Sequence, residues 1–176
     1  MKKIFVINGS ASSNSSNQRL IDNVALRTKD FFTFKICRDL KTLPHFDPEL
    51  SSENTPEKIL EFRRDIEMAD AVLICTPEYI FSIPSGLKNA IEWCVSTTVF
   101  SDKPLGIITA SASGEKGHEE LKMIMKTVMA VFTEESTILI NGIKGKINDK
   151  GLITDEKTQK AVEAFIAGFR SLVYGE

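Results

Sequence analysis

Residues 4–20 read IFVINGSASSNSSNQRL, and this stretch decides the fold class. Residues 4–7 form a short apolar run without polar alternation, which is typical of a β-strand that is buried on both faces. Ser15 is followed three positions later by Gln18, the spacing of a helix capping box, and apolar residues then continue at helical intervals. The stretch therefore predicts a buried strand, a polar loop and the start of a helix.

The same alternation runs along the whole chain. Apolar runs at 71–75 and 105–108 again predict buried strands, whereas 31–37 alternates with polar residues and 136–140 has only a short apolar part. Helical repeats fill the intervals between them. The pattern predicts an α/β fold, in one domain over residues 1–176, with a parallel sheet covered by helices on both faces. The common strand order 2-1-3-4-5 would place strands 2 and 5 at the edges.

Composition excludes several classes of function. The chain has 176 residues and a net charge of −2, and it contains no basic run, so we expect no nucleic-acid partner. No apolar run approaches the roughly 20 residues of a membrane span, and the N-terminal apolar run is too short for a signal sequence. The three cysteines form no CxxC motif, and Cys75 lies in an apolar run. This usage predicts a reducing, cytoplasmic compartment.

Three loops of small polar residues mark a candidate site. In an open α/β sheet, ligands bind beyond the carboxyl ends of the strands, where the strand order reverses. In the order 2-1-3-4-5 that point lies between strands 1 and 3, next to the loops 8–17 and 76–84. The loop 111–118 follows the neighbouring strand 4. We expect these loops to form one site.

The first loop, 8–17, has the features of an anion site. Free backbone N–H groups and the helix dipole favour negative charge at a helix N-terminus, and the serine and asparagine side chains add donors. The loop lacks the second glycine and the lysine of a GxxxxGK[ST] motif, and Gly9 alone does not make GxGxxG. Cys75 and Thr76 occupy the place where a phosphorylated receiver domain needs aspartate. A terminal monophosphate such as that of FMN fits best, although the serines could merely cap the helix.

Three segments resemble the NADPH-dependent FMN reductase family of flavodoxin-like flavoproteins. Residues 77–93, PEYIFSIPSGLKNAIEW, are similar to the family pattern PEYNxSxPxxLKNxx[DE]W, with Ile80 in place of asparagine. Residues 9–17 are similar to GSxRxxSxN, with Ser12 in place of arginine. The serine- and glycine-containing segment 111–118 is the third. The resemblance implies a flavodoxin-like three-layer sandwich.

The resemblance also implies a set of FMN-binding residues. Ser10, Ser15, Asn17 and the N–H of Gln18 would hold the phosphate, with Ser12 in the place of the family's arginine. The segment from Pro77 to Tyr79 would line the flavin ring, and Ile80 would lie near it. The last three residues in the list would close the pyrimidine side of the ring. The set is Ser10, Ser12, Ser15, Asn17, Gln18, Pro77, Glu78, Tyr79, Ile80, Ser111, Ser113 and Gly114.

The implied activity is that of an NAD(P)H-dependent oxidoreductase. In a ping-pong cycle, NADH or NADPH would give a hydride to FMN and leave, and a quinone, azo compound, flavin or metal oxyanion would then take the electrons. No side chain has to act as an acid, so we predict no catalytic residue. His45 and His118 are far apart in sequence and predict no metal site. Two alternatives are a flavodoxin-like electron carrier and a non-enzymatic protein without flavin.

Two further expectations concern packing. Residues 84–95 carry an apolar stripe and Trp93, on a helix that in this family often packs against a second subunit, so we expect a homodimer or homotetramer. The segment 43–50 contains Leu43, Pro44 and Phe46. These residues could roof the flavin, or they could hold a long loop against the body of the protein.

Overall fold

The computed structural model describes residues 1–12, 14–37 and 39–176, so Ser13 and Arg38 lie outside the described residues. Strands and α-helices alternate along the chain. Short 3₁₀ turns follow β2 at Leu40–Thr42 and β5 at Ile143–Gly145. The elements are β1 (Lys2–Asn8), α1 (Ser16–Thr28), β2 (Phe32–Cys37), α2 (Glu57–Glu67), β3 (Ala71–Thr76), α3 (Ser85–Glu92), β4 (Leu105–Ser111), α4 (Glu115–Thr127), β5 (Thr137–Asn141) and α5 (Glu156–Tyr174).

The strands form one parallel sheet in the order β2-β1-β3-β4-β5, which confirms the predicted order. At its centre Val6 of β1 lies between Ile36 of β2 and Leu73 of β3. Every residue of β3 is buried, whereas β2 and β5 are partly exposed. The alternating and short apolar runs therefore did mark the sheet edges, because an edge strand needs fewer apolar residues.

Helices cover both faces of the sheet. Phe5 and Ile7 pack with α2, α3 and α4, while Ile4 and Val6 point to the opposite face and pack with α1 and α5. Successive side chains of a strand point to opposite faces, so one apolar strand supplies both cores. The result is the predicted three-layer, flavodoxin-like arrangement. Within the described ranges, no helix is long and apolar enough to cross a lipid bilayer.

The apolar stripe of 84–95 is turned towards the chain's own core. Leu87 and Ala90 are fully buried, and so is Trp93, which directly follows α3. The indole Nε1–H of Trp93 donates to the carbonyl of Pro44 at 2.8 Å. Of the apolar stripe residues, only Val95, beyond the helix end, is exposed. The stripe and Trp93 therefore do not form an outer surface, and they lend no support to the predicted oligomer.

The segment 43–50 is attached to the body of the protein. Asn89 of α3 donates from Nδ2 to the carbonyl of Pro44 at 2.9 Å and accepts from the N–H of Phe46 at 2.7 Å. The Phe46 ring meets the Trp93 ring edge-on, with centroids 5.4 Å apart. Pro44 and Phe46 therefore hold the long loop against the body of the protein, which is the second of the two roles predicted for them.

Candidate active site

The first loop is fixed at its base by the side chain that ends β1. Asn8 donates from Nδ2 to Oε1 of Gln18 at 3.0 Å, and its Oδ1 accepts from the N–H of Ser10 at 3.0 Å. The next residue approaches β3 very closely. A Cβ atom added at Gly9 would lie 2.3 Å from Oγ1 of Thr76, so only glycine fits there.

The loop ends in the predicted helix cap. Oγ of Ser15 accepts from the N–H of Gln18 at 3.0 Å. The Gln18 side chain bonds Asn8 and so does not complete a capping box with the N–H of Ser15. In the part of the chain that the structure describes, the N–H groups of Ser16 and Asn17 have no acceptor. These two donors, together with the helix dipole, favour an anion at this end of α1.

Asn17 contributes to the site through its backbone. Its side chain is buried, with Nδ2 donating to the carbonyl of Ala110 at 3.1 Å and Oδ1 within 3.4 Å of the thiol of Cys75. The amide therefore ties α1 to β3 and β4. Burial raises the pKa of the Cys75 thiol well above its ordinary value, so this thiol is an inert part of the core.

The loop after β3 makes a tight turn between Tyr79 and Ser82. The N–H of Tyr79 donates to the carbonyl of Ser82 at 2.9 Å, and the reverse bond is 3.1 Å long. The two central residues, Ile80 and Phe81, have φ angles of 51° and 58°, which is the left-handed geometry of a type I′ turn. Their apolar side chains are 95% and 75% exposed.

Two carboxylates fasten this turn to α4. Glu78 accepts from the N–H of Gly114 at 3.2 Å and from the N–H of Gly117 at 2.8 Å, so it caps the start of α4. Glu120 lies one helical turn further along α4 and holds the Ser82 end of the tight turn. Its Oε2 accepts from Oγ of Ser82 at 2.7 Å and from the N–H of Ile83 at 2.8 Å. The Glu78 side chain therefore caps α4, and the backbone of Glu78 is the part that is available to contact a flavin ring.

His118 also lies at the start of α4. Its Nδ1 is 2.8 Å from Oγ1 of Thr109, a buried residue of β4, and it does not line the cavities described below. Burial lowers the pKa of His118 below its ordinary value, and nearby Lys122 adds to the shift. The described chain contains no cluster of histidine, cysteine and acidic residues that could hold a metal ion.

The predicted loops meet at a cavity of about 1050 Å³, which we call the larger cavity. It lies at the carboxyl ends of β1, β3 and β4, beside the N-terminus of α1. Most of the predicted FMN-binding residues line it: Ser10, Ser12, Ser15, Asn17, Pro77, Glu78, Tyr79 and Ser111. Four predicted residues do not. Gln18 lines a neighbouring cavity, and Ile80, Ser113 and Gly114 line neither.

The smaller cavity, of about 720 Å³, adjoins the larger one. Ser10, Ser12 and Tyr79 line both cavities and so stand between them. Leu43 and His45 reach the smaller cavity from the long segment after β2. Thus that segment borders this space, although its neighbouring residues are bonded to α3.

Sequence reasoning missed one wall of the larger cavity. Residues 142–145 and 147–149, which follow β5, line it together with Arg19 of α1. The general rule that ligands bind beyond the carboxyl ends of parallel strands would have included this segment. Its Gly142 has a φ of 64°, so the chain turns sharply at the end of β5 and folds back over the site.

The residues of the larger cavity fit FMN. A phosphate finds hydroxyl and N–H donors at the start of α1, and a ring finds backbone and apolar surface at Pro77 and Tyr79. Arg19 and Lys144 supply positive charge on the cavity wall. Of the acidic residues there, Glu78 is engaged with α4 and Asp149 is exposed. The cavity is also large enough for a ligand of cofactor size.

Comparison with known proteins identifies the family. The sequence model of the NADPH-dependent FMN reductase family matches residues 2–144. A 2-hydroxy-1,4-benzoquinone reductase from a Burkholderia species is 30% identical over 178 residues, which covers 97% of this chain and 96% of that protein. An NAD(P)H:quinone oxidoreductase from Solanum tuberosum is 28% identical and covers 97% and 92% of the two chains.

A solved structure gives the same answer. FerB from Paracoccus denitrificans, a flavoenzyme NAD(P)H:(acceptor) oxidoreductase, superposes with a TM-score of 0.81 at 26% identity. The match covers 99% of this chain and 98% of FerB. These findings confirm the predicted fold and the predicted class, an oxidoreductase that works with FMN and NAD(P)H. The chain belongs to the NADPH-dependent FMN reductase family.

Proposed function

We propose that this chain holds FMN in the larger cavity and uses NADH or NADPH to reduce quinones. The observation that carries the proposal is the meeting of the loops after β1, β3 and β4 around one cavity at the N-terminus of α1. Relatives that span nearly the whole chain are named quinone reductases, which supports a quinone as the acceptor. Azo compounds and free flavin are the competing acceptors.

The first loop would bind the phosphate of FMN. The donors there are the N–H groups of Ser16 and Asn17 and the hydroxyl groups of Ser10 and Ser12. Bonds to near neighbours hold the described residues on either side. Hydrogen bonds to a charged group each contribute about 1.5–3 kcal/mol. This loop would therefore provide much of the affinity.

The turn after β3 would hold the flavin ring. Pro77, Glu78 and Tyr79 line the cavity, and the carboxylates of Glu78 and Glu120 fasten this segment to α4. Ser111, whose hydroxyl donates to the carbonyl of Glu78 at 3.4 Å, would close the wall from β4. Bound FMN supplies hydride acceptance from NAD(P)H and electron delivery to the acceptor. The chain supplies orientation and shielding from water, and we assign no acid or base to it.

Steady-state turnover tests the proposal. The purified chain, loaded with FMN, is assayed for oxidation of NADH and of NADPH with a benzoquinone, an azo dye or free FMN as acceptor. We expect saturable oxidation of at least one nicotinamide and the highest kcat/KM with the quinone. The same chain without FMN, and reactions without acceptor, provide the background.

Each alternative gives a different result. An electron carrier would bind FMN but would not turn over NAD(P)H with any acceptor. A protein without flavin would remain colourless after incubation with FMN. Turnover with the azo dye or free FMN above that with the quinone would retain the enzyme class and contradict the proposed acceptor.

We also propose that one flavin-binding domain spans the chain and that the chain acts in the cytoplasm as a homodimer or homotetramer. The last helix, α5, packs against the sheet core through Val162 and Phe169, which supports a single domain. Cys75 and Cys94 are buried free thiols, which suits a reducing compartment. Ile80 and Phe81 are apolar and exposed, and the turn that carries them is fastened to α4. This pair is the surface that we expect to contact a second copy.

Light scattering at micromolar concentration tests the oligomer. We expect a mass of two or four chains for the wild type and a smaller mass for Phe81→Ser. Met68→Ser is the matched control, because Met68 is 70% exposed at the end of α2, away from the turn. A monomeric wild type, or equal masses for wild type and Phe81→Ser, would contradict the proposal.

A further inference from the structure

Arg19 stands in the larger cavity at a place where the resemblance would not put an arginine. The family pattern has its arginine at the position of Ser12, so this chain lacks that charge beside the phosphate. Arg19 lies in the first turns of α1, just after Ser16 and Asn17, whose N–H groups have no acceptor among the described residues. It lines the larger cavity together with all three of these residues.

Within the described chain, only some of the hydrogen-bond donors of the Arg19 guanidinium group have an acceptor. Its Nη1 donates to Oδ1 of Asp149 at 2.9 Å and to the carbonyl of Asn148 at 3.3 Å. Its Nε is buried and has no hydrogen-bond partner in the described chain. A buried donor without a partner costs stability, so a ligand that supplied an acceptor would gain from it.

The partner that Arg19 now has is a weak one. The Asp149 side chain is 98% exposed, whereas that of Arg19 is 22% exposed. Ion pairs with an exposed partner contribute little because water and salt screen them. A phosphate dianion within the cavity would be a stronger acceptor, since it can take two parallel hydrogen bonds from one guanidinium.

We propose that Arg19 binds the phosphate of FMN and replaces the arginine that the family carries at position 12, releasing Asp149 when it does so. The proposal rests on the proposed function and concerns the same cavity. It assigns Arg19 a role that depends on the phosphate alone, so the role disappears for a flavin that lacks the phosphate.

The test is equilibrium binding of FMN and of riboflavin to the apoprotein, followed by quenching of flavin fluorescence. We expect Arg19→Met to weaken FMN binding by about 10- to 100-fold, as expected for the loss of a charge-assisted bond, and to change riboflavin binding by less than about twofold. Arg19→Lys should retain part of the preference for FMN, because it keeps the charge without the planar fork.

Arg27 provides a matched control on the same helix. It carries the same charge and pairs with the exposed Glu163 at 3.1 Å, but it does not line the cavity. Arg27→Met should leave the affinities for both flavins unchanged. Asp149→Asn frees Arg19 without altering it, and we expect it to tighten FMN binding a few-fold, whereas Glu163→Gln should have no effect.

The possible outcomes separate this inference from the proposed function. If the wild type binds neither flavin, both fail. If the wild type prefers FMN and Arg19→Met keeps that preference, only the role of Arg19 fails. Equal loss of FMN and riboflavin binding in a folded Arg19→Met variant would make Arg19 a packing residue. A loss of FMN binding confined to Lys144→Met would assign the phosphate charge to Lys144 instead of Arg19.

Discussion

The two walls of the larger cavity are held in different ways. The first loop is fixed by its own neighbours: Asn8 bonds Ser10, and Ser15 bonds Gln18. The turn after β3 is fixed from a distance, by Glu120, which lies more than 30 positions further along the chain. Bonds between near neighbours therefore shape the phosphate end, whereas the ring end depends on the docking of α4.

The largest expected effect concerns the first loop. In Gly9→Ala the new Cβ would lie 2.3 Å from Oγ1 of Thr76, so β1 and β3 would have to separate. We expect the free energy of unfolding to fall by about 3 kcal/mol, the upper end of the usual cost of overpacking. Urea denaturation measures it. Gly86→Ala is the control, because its Cβ would meet Leu40 at 3.7 Å, an ordinary contact. Equal stability of the two variants would show that the loop can shift.

The second effect concerns Glu120, the residue of α4 that holds the turn after β3. Glu120→Ala removes the acceptor for two donors, so we expect a loss of about 1.5–3 kcal/mol in unfolding free energy and weaker riboflavin binding. Glu119→Ala, one residue earlier, removes only an exposed pair with Lys116 and should change stability by less than about 0.5 kcal/mol. If Glu120→Ala left riboflavin affinity unchanged, α4 would not control the ring end.

The smallest effect relieves strain in the turn itself. Ile80 is β-branched and has a φ of 51°, whereas asparagine tolerates the left-handed region. At a concentration at which the chain is monomeric, Ile80→Asn should raise the free energy of unfolding by roughly 1 kcal/mol. Lower stability would mean that Ile80 packs favourably in the monomer and that the turn is not strained. Leu26→Asn, at an exposed helical site, is the control.

The fold could be predicted almost completely because its signals are local. Short apolar runs and helical spacing gave the order of the elements, and the less apolar runs identified β2 and β5 as edges. The sequence showed less well which apolar side chains of a helix face the protein's own core and which face outwards. Trp93 looked like a subunit contact, but it bonds Pro44, and that pairing joins positions 49 apart in the chain.

The site could be predicted in part for the same reason. The cap at Ser15 and the polar first loop were visible from spacing alone. The wall formed by the segment after β5 and the anchor at Glu120 were not, since each depends on contacts between distant segments. A side chain such as Asn17 has the right chemistry for a phosphate in sequence, yet the fold commits its amide to Ala110.

The most direct test of the account is a crystal structure of the chain with FMN. We expect the flavin in the larger cavity, with its phosphate within hydrogen-bonding distance of the N–H groups of Ser16 and Asn17 and its ring against Pro77 and Tyr79. A flavin in the smaller cavity, or a larger cavity that stays empty at saturating FMN, would contradict it.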